Sequence, residues 1–254
     1  MLAPFLERPG RAALLLDFDG TLSPIVDVPA DARPLAGAGE VLEALAERFA
    51  VVAVVSGRPA SFLEPLLPAG VVISGLYGLE TVSDGVRSDH AGAGGWREAV
   101  ADAARRAQKD GPVGMTAEPK GLSLTLHYRQ RPELEAAVLA WAEAQAERSG
   151  LVMRRARMSV ELHPPVAADK GTAVAGLVTD VDAVCFVGDD RGDLPAFDAL
   201  DRLDDRGVHA VRVAVASAEA PGDLVDRADI VLDGPDAVLD LLRELVVATR
   251  HKTA

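Results

Sequence analysis

An α/β fold, with a mostly parallel sheet covered by helices and interrupted by a smaller α+β block, is what this 254-residue sequence predicts. Two observations carry that prediction. Short apolar runs of strand length alternate with segments of helical spacing. Between residues 85 and 166 that texture changes to turn-rich, alternating segments with two helices. The predicted organisation is therefore a core of residues 1–84 and 167–254 and an insert of residues 85–166.

Ala12–Leu16 has the length and uniform apolarity of a buried strand. A polar loop broken by Pro24, Pro29 and Pro34 follows. Gly39–Phe49 then places Val41, Leu42, Leu45 and Phe49 at helical spacing. Ala50–Val55 predicts a second buried strand ending at Ser56-Gly57-Arg58-Pro59, Ala60–Leu67 a helix, and Val71–Ser74 a third strand. In the insert, a glycine-rich break at Gly92–Gly95 precedes a helix over Trp96–Lys109. Leu122–Tyr128 alternates like a half-exposed strand, Pro132–Arg148 is helical, and Leu151–Glu161 holds one or two strands. Pro164-Pro165 marks the exit. The core pattern resumes with a helix opening at Lys170, a strand Ala183–Val187 running into Gly188-Asp189-Asp190, strands at Ala210–Ala216 and Ile230–Leu232, and a terminal helix from Pro235 to about Thr249.

Composition narrows the function. Hydrophobic residues make up 49%, which excludes global disorder. No apolar run reaches the ~18 residues a membrane span requires, and the first ten residues lack an apolar signal core, so a cytoplasmic location is expected. Cys185 is the single cysteine and sits in an apolar run, where it reads as a buried, inert thiol. The net charge of −13 argues against nucleic acid or an anionic membrane as partner; it does not decide between monomer and dimer, and a monomer is the expectation. It also means that a phosphorylated substrate must be held locally, by a metal and a few placed cations.

Four polar features fall where core strands end or helices begin, the place where open α/β sheets bind ligands. Asp17 and Asp19 follow the first strand. On extended backbone, positions two apart point the same way, and two carboxylates held together suit one nucleophile and one general acid with Mg²⁺ muting their repulsion. Gly20 allows the sharp turn after them. Ser56 ends the second strand, with Gly57 leaving room beside it. Its hydroxyl and free N–H suit a phosphate oxygen, or equally a helix cap before Pro59. Lys170 is suited to neutralise phosphate, or to lie in solvent. Asp189, Asp190 and Asp193 form a carboxylate group without His or Cys, which selects Mg²⁺ over zinc. His127 and His163 belong to no zinc spacing and read as ordinary packing or surface residues.

In this order, strand–Asp17-x-Asp19-Gly-Thr, strand–Ser56, Lys170 and strand–Gly188-Asp189-Asp190 resemble the haloacid dehalogenase superfamily of phosphotransferases, over residues 11–84 and 167–234. The resemblance implies a Rossmann-like core with an inserted cap of the α/β (C2) type. It implies Asp17 as nucleophile through an aspartyl-phosphate and Asp19 as acid/base. Ser56, Gly57 and Lys170 would bind the phosphoryl group. Mg²⁺ would be held by Asp17, the backbone carbonyl of Asp19, and Asp189, with Asp190 and Asp193 as outer partners of the metal or orienters of Lys170.

Within that superfamily the chain resembles the trehalose-6-phosphate phosphatases. The segments are Asp17-Phe-Asp-Gly-Thr-Leu-Ser-Pro-Ile25, Ser56-Gly-Arg-Pro59, Gly75-Leu-Tyr-Gly-Leu-Glu80, Glu118-Pro-Lys-Gly-Leu-Ser-Leu-Thr-Leu-His-Tyr-Arg129, Val160-Glu-Leu-His-Pro164 and Lys170-Gly171. This implies a phosphorylated disaccharide as substrate, with Glu118, Lys120 and Glu161 hydrogen-bonding glucose hydroxyls and Arg129 and Arg58 nearby. Gly192 and Leu194 stand where the family carries Thr and Glu, and Arg157-Met158 where it carries Gly-Lys. The alternatives are another capped sugar-phosphate phosphatase, a phosphomannomutase-like phosphotransferase, and a non-catalytic phosphosugar sensor. Against the sensor stand Asp17, Asp19, Lys170 and Asp189, since a sensor has no need of a nucleophile.

Overall fold

A computed structural model describes residues 1–156, 158–216 and 221–250, so Arg157 lies outside the described residues. The chain divides into two compact units, Met1–Ser88 with Ala168 onward, and Asp89–Ala167. In chain order the first part of the larger unit holds α1 (Ala3–Glu7), β1 (Ala12–Leu16), α2 (Ala38–Ala46), β2 (Val51–Val55), α3 (Ala60–Leu63), β3 (Val72–Gly75), β4 (Glu80–Ser83) and β5 (Val86–Asp89). The smaller unit holds α4 (Arg97–Asp110), β6 (Thr116–Pro119), β7 (Leu124–His127), α5 (Glu135–Ser149), β8 (Val152–Ala156) and β9 (Ser159–His163). The larger unit is completed by α6 (Lys170–Leu177), β10 (Ala183–Gly188), α7 (Leu194–Asp204), β11 (His209–Ala216), α8 (Gly222–Asp226), β12 (Ile230–Asp233) and α9 (Gly234–Arg250).

The large sheet runs β12-β11-β10-β1-β2-β3-β4-β5. From β12 to β3 every pairing is parallel, and β4 returns antiparallel to β3. Every residue of β1 is buried, as a strand covered on both faces requires. Leu14 and Leu16 join Leu42, Leu45, Val238 and Leu242 from α2 and α9 on one face. Ala13 and Leu15 join Val174, Phe197 and Leu200 from α6 and α7 on the other. Cys185 is buried on β10, where burial pushes its thiol up to about 12.

Two corrections to the sequence reading concern strands. β4, β5 and β6 were not anticipated. Asp84 and Gly85 both take positive φ, the conformation a two-residue hairpin loop needs, so the chain doubles back and extends the large sheet beyond residue 84. The central strand of the smaller unit is buried on both faces rather than half-exposed. In the sheet β6-β7-β9-β8, Leu124 and Leu126 pack with Val100, Ala103, Val138 and Ala142 of α4 and α5. On the opposite face, Thr125 is flanked by the longer cross-strand neighbours Glu118 and Glu161, and only 5% of it is exposed.

Candidate active site

β1 pairs in parallel with β10 on one side and β2 on the other, and the order of the sheet reverses about it. The C-terminal ends of these strands are thus the switch point of the sheet. The Asp17 N–H donates to Val187 O at 2.9 Å, which fixes the aspartate where β1 leaves the sheet beside β10. Gly20 turns the chain with φ +78°, and its N–H donates to Ser23 O at 2.7 Å. A Cβ at Gly20 would lie 2.0 Å from Asp189 Oδ2, so glycine here lets the β10 carboxylate reach the β1 turn.

Lys170 is the first residue of α6 and is 4% exposed. Its Nζ donates to Asp193 Oδ1 at 2.6 Å and lies 2.8 Å from Asp17 Oδ1. Asp193 Oδ2 accepts the N–H groups of Asp189 and Asp190 at 2.9 and 3.0 Å, so Asp193 both orients the lysine and shapes the turn after β10. Asp190 makes no hydrogen bond to Lys170 among the described residues. It is exposed, and its carboxylate accepts the Gly192 N–H at 2.8 Å, capping the turn that leads into α7.

Oxygens of Asp17, Asp189 and Asp193 lie within 4.8 Å of one another. Three buried carboxylates around one ammonium leave an excess of negative charge. Burial drives the Asp17 carboxyl well above the ordinary carboxylate range despite Lys170, and burial with Asp193 and Asp190 drives Asp189 up to about 7. Burial alone would lower the Lys170 ammonium, but Asp17, Asp193 and Asp190 outweigh it and keep it protonated. Asp189 Oδ1 is buried with no hydrogen-bond partner among the described residues. An orphaned buried oxygen in an all-oxygen donor set with excess negative charge fits a hard divalent cation.

The second aspartate of the motif has different partners. Arg58 Nε and Nη2 donate to the two oxygens of Asp19, each at 2.7 Å, and Nη1 donates to Pro29 O at 2.6 Å. The guanidinium sits 4.3 Å from the centre of the Phe62 ring. Arg58 is therefore placed on the acid/base candidate. Ser56 is 1% exposed, and its N–H is not free as expected, since it donates to Ser74 O at 2.9 Å in the parallel pairing of β2 with β3. Its Oγ accepts the Arg58 N–H at 3.2 Å, which leaves the hydroxyl proton to give. The Gly57 N–H has no acceptor among the described residues, which leaves it free to donate. Ser56 does not cap α3, whose first N–H goes elsewhere.

In the smaller unit, Glu118, Thr125 and Glu161 stand in line across β6, β7 and β9, so both carboxylates share one sheet face. Lys120 Nζ lies 3.6 Å from Glu118 Oε2. Sequence reasoning treated His127 as incidental, yet its Nε2 is 2.8 Å from the same Glu118 oxygen, and the pairing holds the Glu118 carboxyl below its ordinary value. Arg129 follows β7 and is exposed. His163 Nδ1 bonds Pro164 O at 2.8 Å, and burial lowers its imidazole.

Comparison with known proteins follows the same geography. Residues 15–228 match the profile of the Trehalose-phosphatase family. The trehalose-phosphate phosphatase of Mycobacterium leprae (strain TN) is 32% identical over 252 residues, covering 92% of this chain and 57% of the relative. That of Mycobacterium ulcerans (strain Agy99) is 31% identical over 247 residues, covering 92% of this chain and 61% of the relative. The chain thus spans about 60% of the length of these curated relatives. Among solved structures, the C-terminal domain of a C. albicans trehalose-6-phosphate phosphatase superposes with TM-score 0.73 at 22% identity, over 95% of this chain and 94% of that one. A haloacid dehalogenase-like hydrolase from Bacteroides thetaiotaomicron shares the fold with TM-score 0.63 at 14% identity, over 92% of this chain and 99% of that one.

Proposed function

This chain belongs to the trehalose-phosphatase family, and on that premise we propose that it hydrolyses trehalose 6-phosphate to trehalose and inorganic phosphate. The observation that carries the reading is the buried cluster at the ends of β1 and β10, where Lys170 touches Asp17 and Asp193 and an oxygen of Asp189 lacks a partner. Phosphate monoesters are among the slowest substrates to hydrolyse unaided, and dividing the reaction between two covalent steps lowers each barrier.

Asp17 attacks phosphorus as the bond to the sugar oxygen breaks, and Asp19 gives that oxygen its proton. Asp19 then takes a proton from water, which attacks the aspartyl-phosphate, releases phosphate and restores the Asp17 carboxylate. Asp193 holds the Lys170 ammonium in place, where it balances the charge of the transferring group. Ser56 Oγ and the Gly57 N–H donate to the non-bridging oxygens of the transferring phosphoryl group. Asp17, the Asp19 carbonyl and Asp189 would hold magnesium, which would supply the remaining positive charge. Arg58 donates to both Asp19 oxygens here, so its fork must let go of one of them for Asp19 to carry the proton it gives.

In the smaller unit, Glu118, Lys120 and Glu161 are the readers of sugar hydroxyls, since carboxylate and ammonium groups make several directed hydrogen bonds each. Arg129 is a less direct candidate. We read the protein as a cytoplasmic monomer. No helix among the described residues is long and apolar enough to cross a membrane.

The test is phosphate release from a panel of sugar phosphates, with Mg²⁺ or with EDTA, for wild type and Asp17→Asn. Trehalose 6-phosphate should turn over at least about tenfold faster than glucose 6-phosphate. EDTA should abolish release, and Asp17→Asn should lose about a thousandfold or more. Equal turnover of the two sugars overturns the substrate, and an active Asp17→Asn overturns the mechanism.

A further inference from the structure

No step above uses Gly75-Leu-Tyr-Gly-Leu-Glu80, although it is one of the six segments that set this sequence apart. In the structure it lies against the Ser56–Ala60 loop along the whole length of that loop. Ser74 O accepts the Ser56 N–H, the Tyr77 N–H donates to Ser56 O, and the Leu76 N–H donates to Arg58 O, each at 2.9 Å. Glu80 Oε2 accepts the Ala60 N–H at 2.9 Å, and Glu80 is 3% exposed. Two glycines allow the contact. A Cβ on Gly57 would lie 2.5 Å from Cζ of Tyr77, and one on Gly75 would lie 2.6 Å from the Ala60 nitrogen.

The arrangement is costly, which argues that it is there for a reason. Leu76 and Tyr77 are successive non-glycine residues with φ of 49° and 59°, each disfavoured by Cβ contacts. A buried carboxylate also carries a desolvation cost that only directed hydrogen bonds offset. The same segment reaches α6, because a Cβ on Gly78 would stand 3.2 Å from Cβ of Ala173, one turn beyond Lys170. The two elements that present phosphate donors therefore rest on one short stretch of chain.

We propose that Glu80 is a positioning residue for phosphate recognition: by accepting the Ala60 N–H it fixes the loop that aims the Ser56 hydroxyl and the Gly57 N–H. The inference rests on the phosphatase reading. Glu80 itself touches no reacting atom, and its effect passes through the backbone of the loop.

The experiment compares wild type, Glu80→Asp and Glu80→Gln in the full chain. Aspartate keeps the charge but is one methylene too short to reach Ala60, whereas glutamine keeps the length and one acceptor oxygen. The readouts are kcat and KM for trehalose 6-phosphate, the affinity for inorganic phosphate by calorimetry, and amide hydrogen exchange. Glu80→Asp should raise KM and weaken phosphate binding by about tenfold or more, with kcat changed less than about threefold. Exchange should rise at Arg58 and Ala60, whose N–H groups are hydrogen-bonded, and not across the sheet, with Glu80→Gln closer to wild type on every readout. Wild-type KM, phosphate affinity and loop exchange in Glu80→Asp overturn the inference, as does a fall in kcat alone. A wild type that releases no phosphate from any sugar phosphate overturns the functional reading by itself, and phosphate affinity and exchange still decide the role of Glu80.

Discussion

Asp17 and Asp19 are two residues apart and meet opposite surroundings. Asp17 faces the buried Lys170, while Asp19 is about one-third exposed and gripped by Arg58. Unequal environments are what allow two like groups to take unequal roles. A second pairing can be tested directly. His127 is the first cause of the lowered Glu118 carboxyl, ahead of the opposing effect of burial and the help of Lys120. Because the folded value lies below the ordinary 4.5, the small stabilisation is present above that pH and is lost as pH falls through the folded value. In His127→Ala the Glu118 titration followed by NMR should move up toward its ordinary value; an unmoved midpoint would show no coupling. The aspartate motif, Ser56 and Lys170 were legible because each closes or opens an element at a predictable place. The roles of His127 and Arg58 were not, because they depend on register. His127 meets Glu118 only when Thr125 pairs with Glu118 across the β6–β7 turn, and a slip of one residue would send it to the other face.

At the level of elements, the first turn of α6 matters most, since it begins with Lys170. Asp169 caps it: its Oδ1 accepts the Thr172 N–H at 2.7 Å, and Thr172 Oγ1 accepts the Asp169 N–H at 2.9 Å. Gly171 lets α6 approach α7, because a Cβ there would lie 2.2 Å from Pro195 O. Asp169→Ala should cost about 1 kcal/mol of stability in denaturant titration, and an unchanged midpoint would mean the cap contributes nothing. The core strands were readable because a strand buried on both faces is a plain apolar run. The β4–β5 hairpin was not read because its strands are partly polar and exposed, leaving Asp84-Gly85 as its one strong signal. α1 was likewise missed: it has five residues and one buried side chain, Phe5, too few for a periodicity to register.

Across the whole molecule, the charge of −13 sets the long-range field against an anionic substrate. The cations of the site act only at contact, and Lys170 and Arg58 are already paired with carboxylates. Raising ionic strength from about 0.01 to about 0.15 M shortens the screening length from about 30 to about 8 Å. kcat/KM for a sugar phosphate should therefore rise, by less than about threefold. A fall would show that attraction near the site governs capture. The strand order has a kinetic consequence as well. β1 is made early in the chain, but its neighbour β10 and the lysine of α6 come only after the entire smaller unit. Asp17 therefore gains its counter-ion through a contact of long sequence separation, and such contacts are slow to close. If that closure comes late in folding, a ligand seated at the strand ends resists escape from the native state without hastening arrival at it.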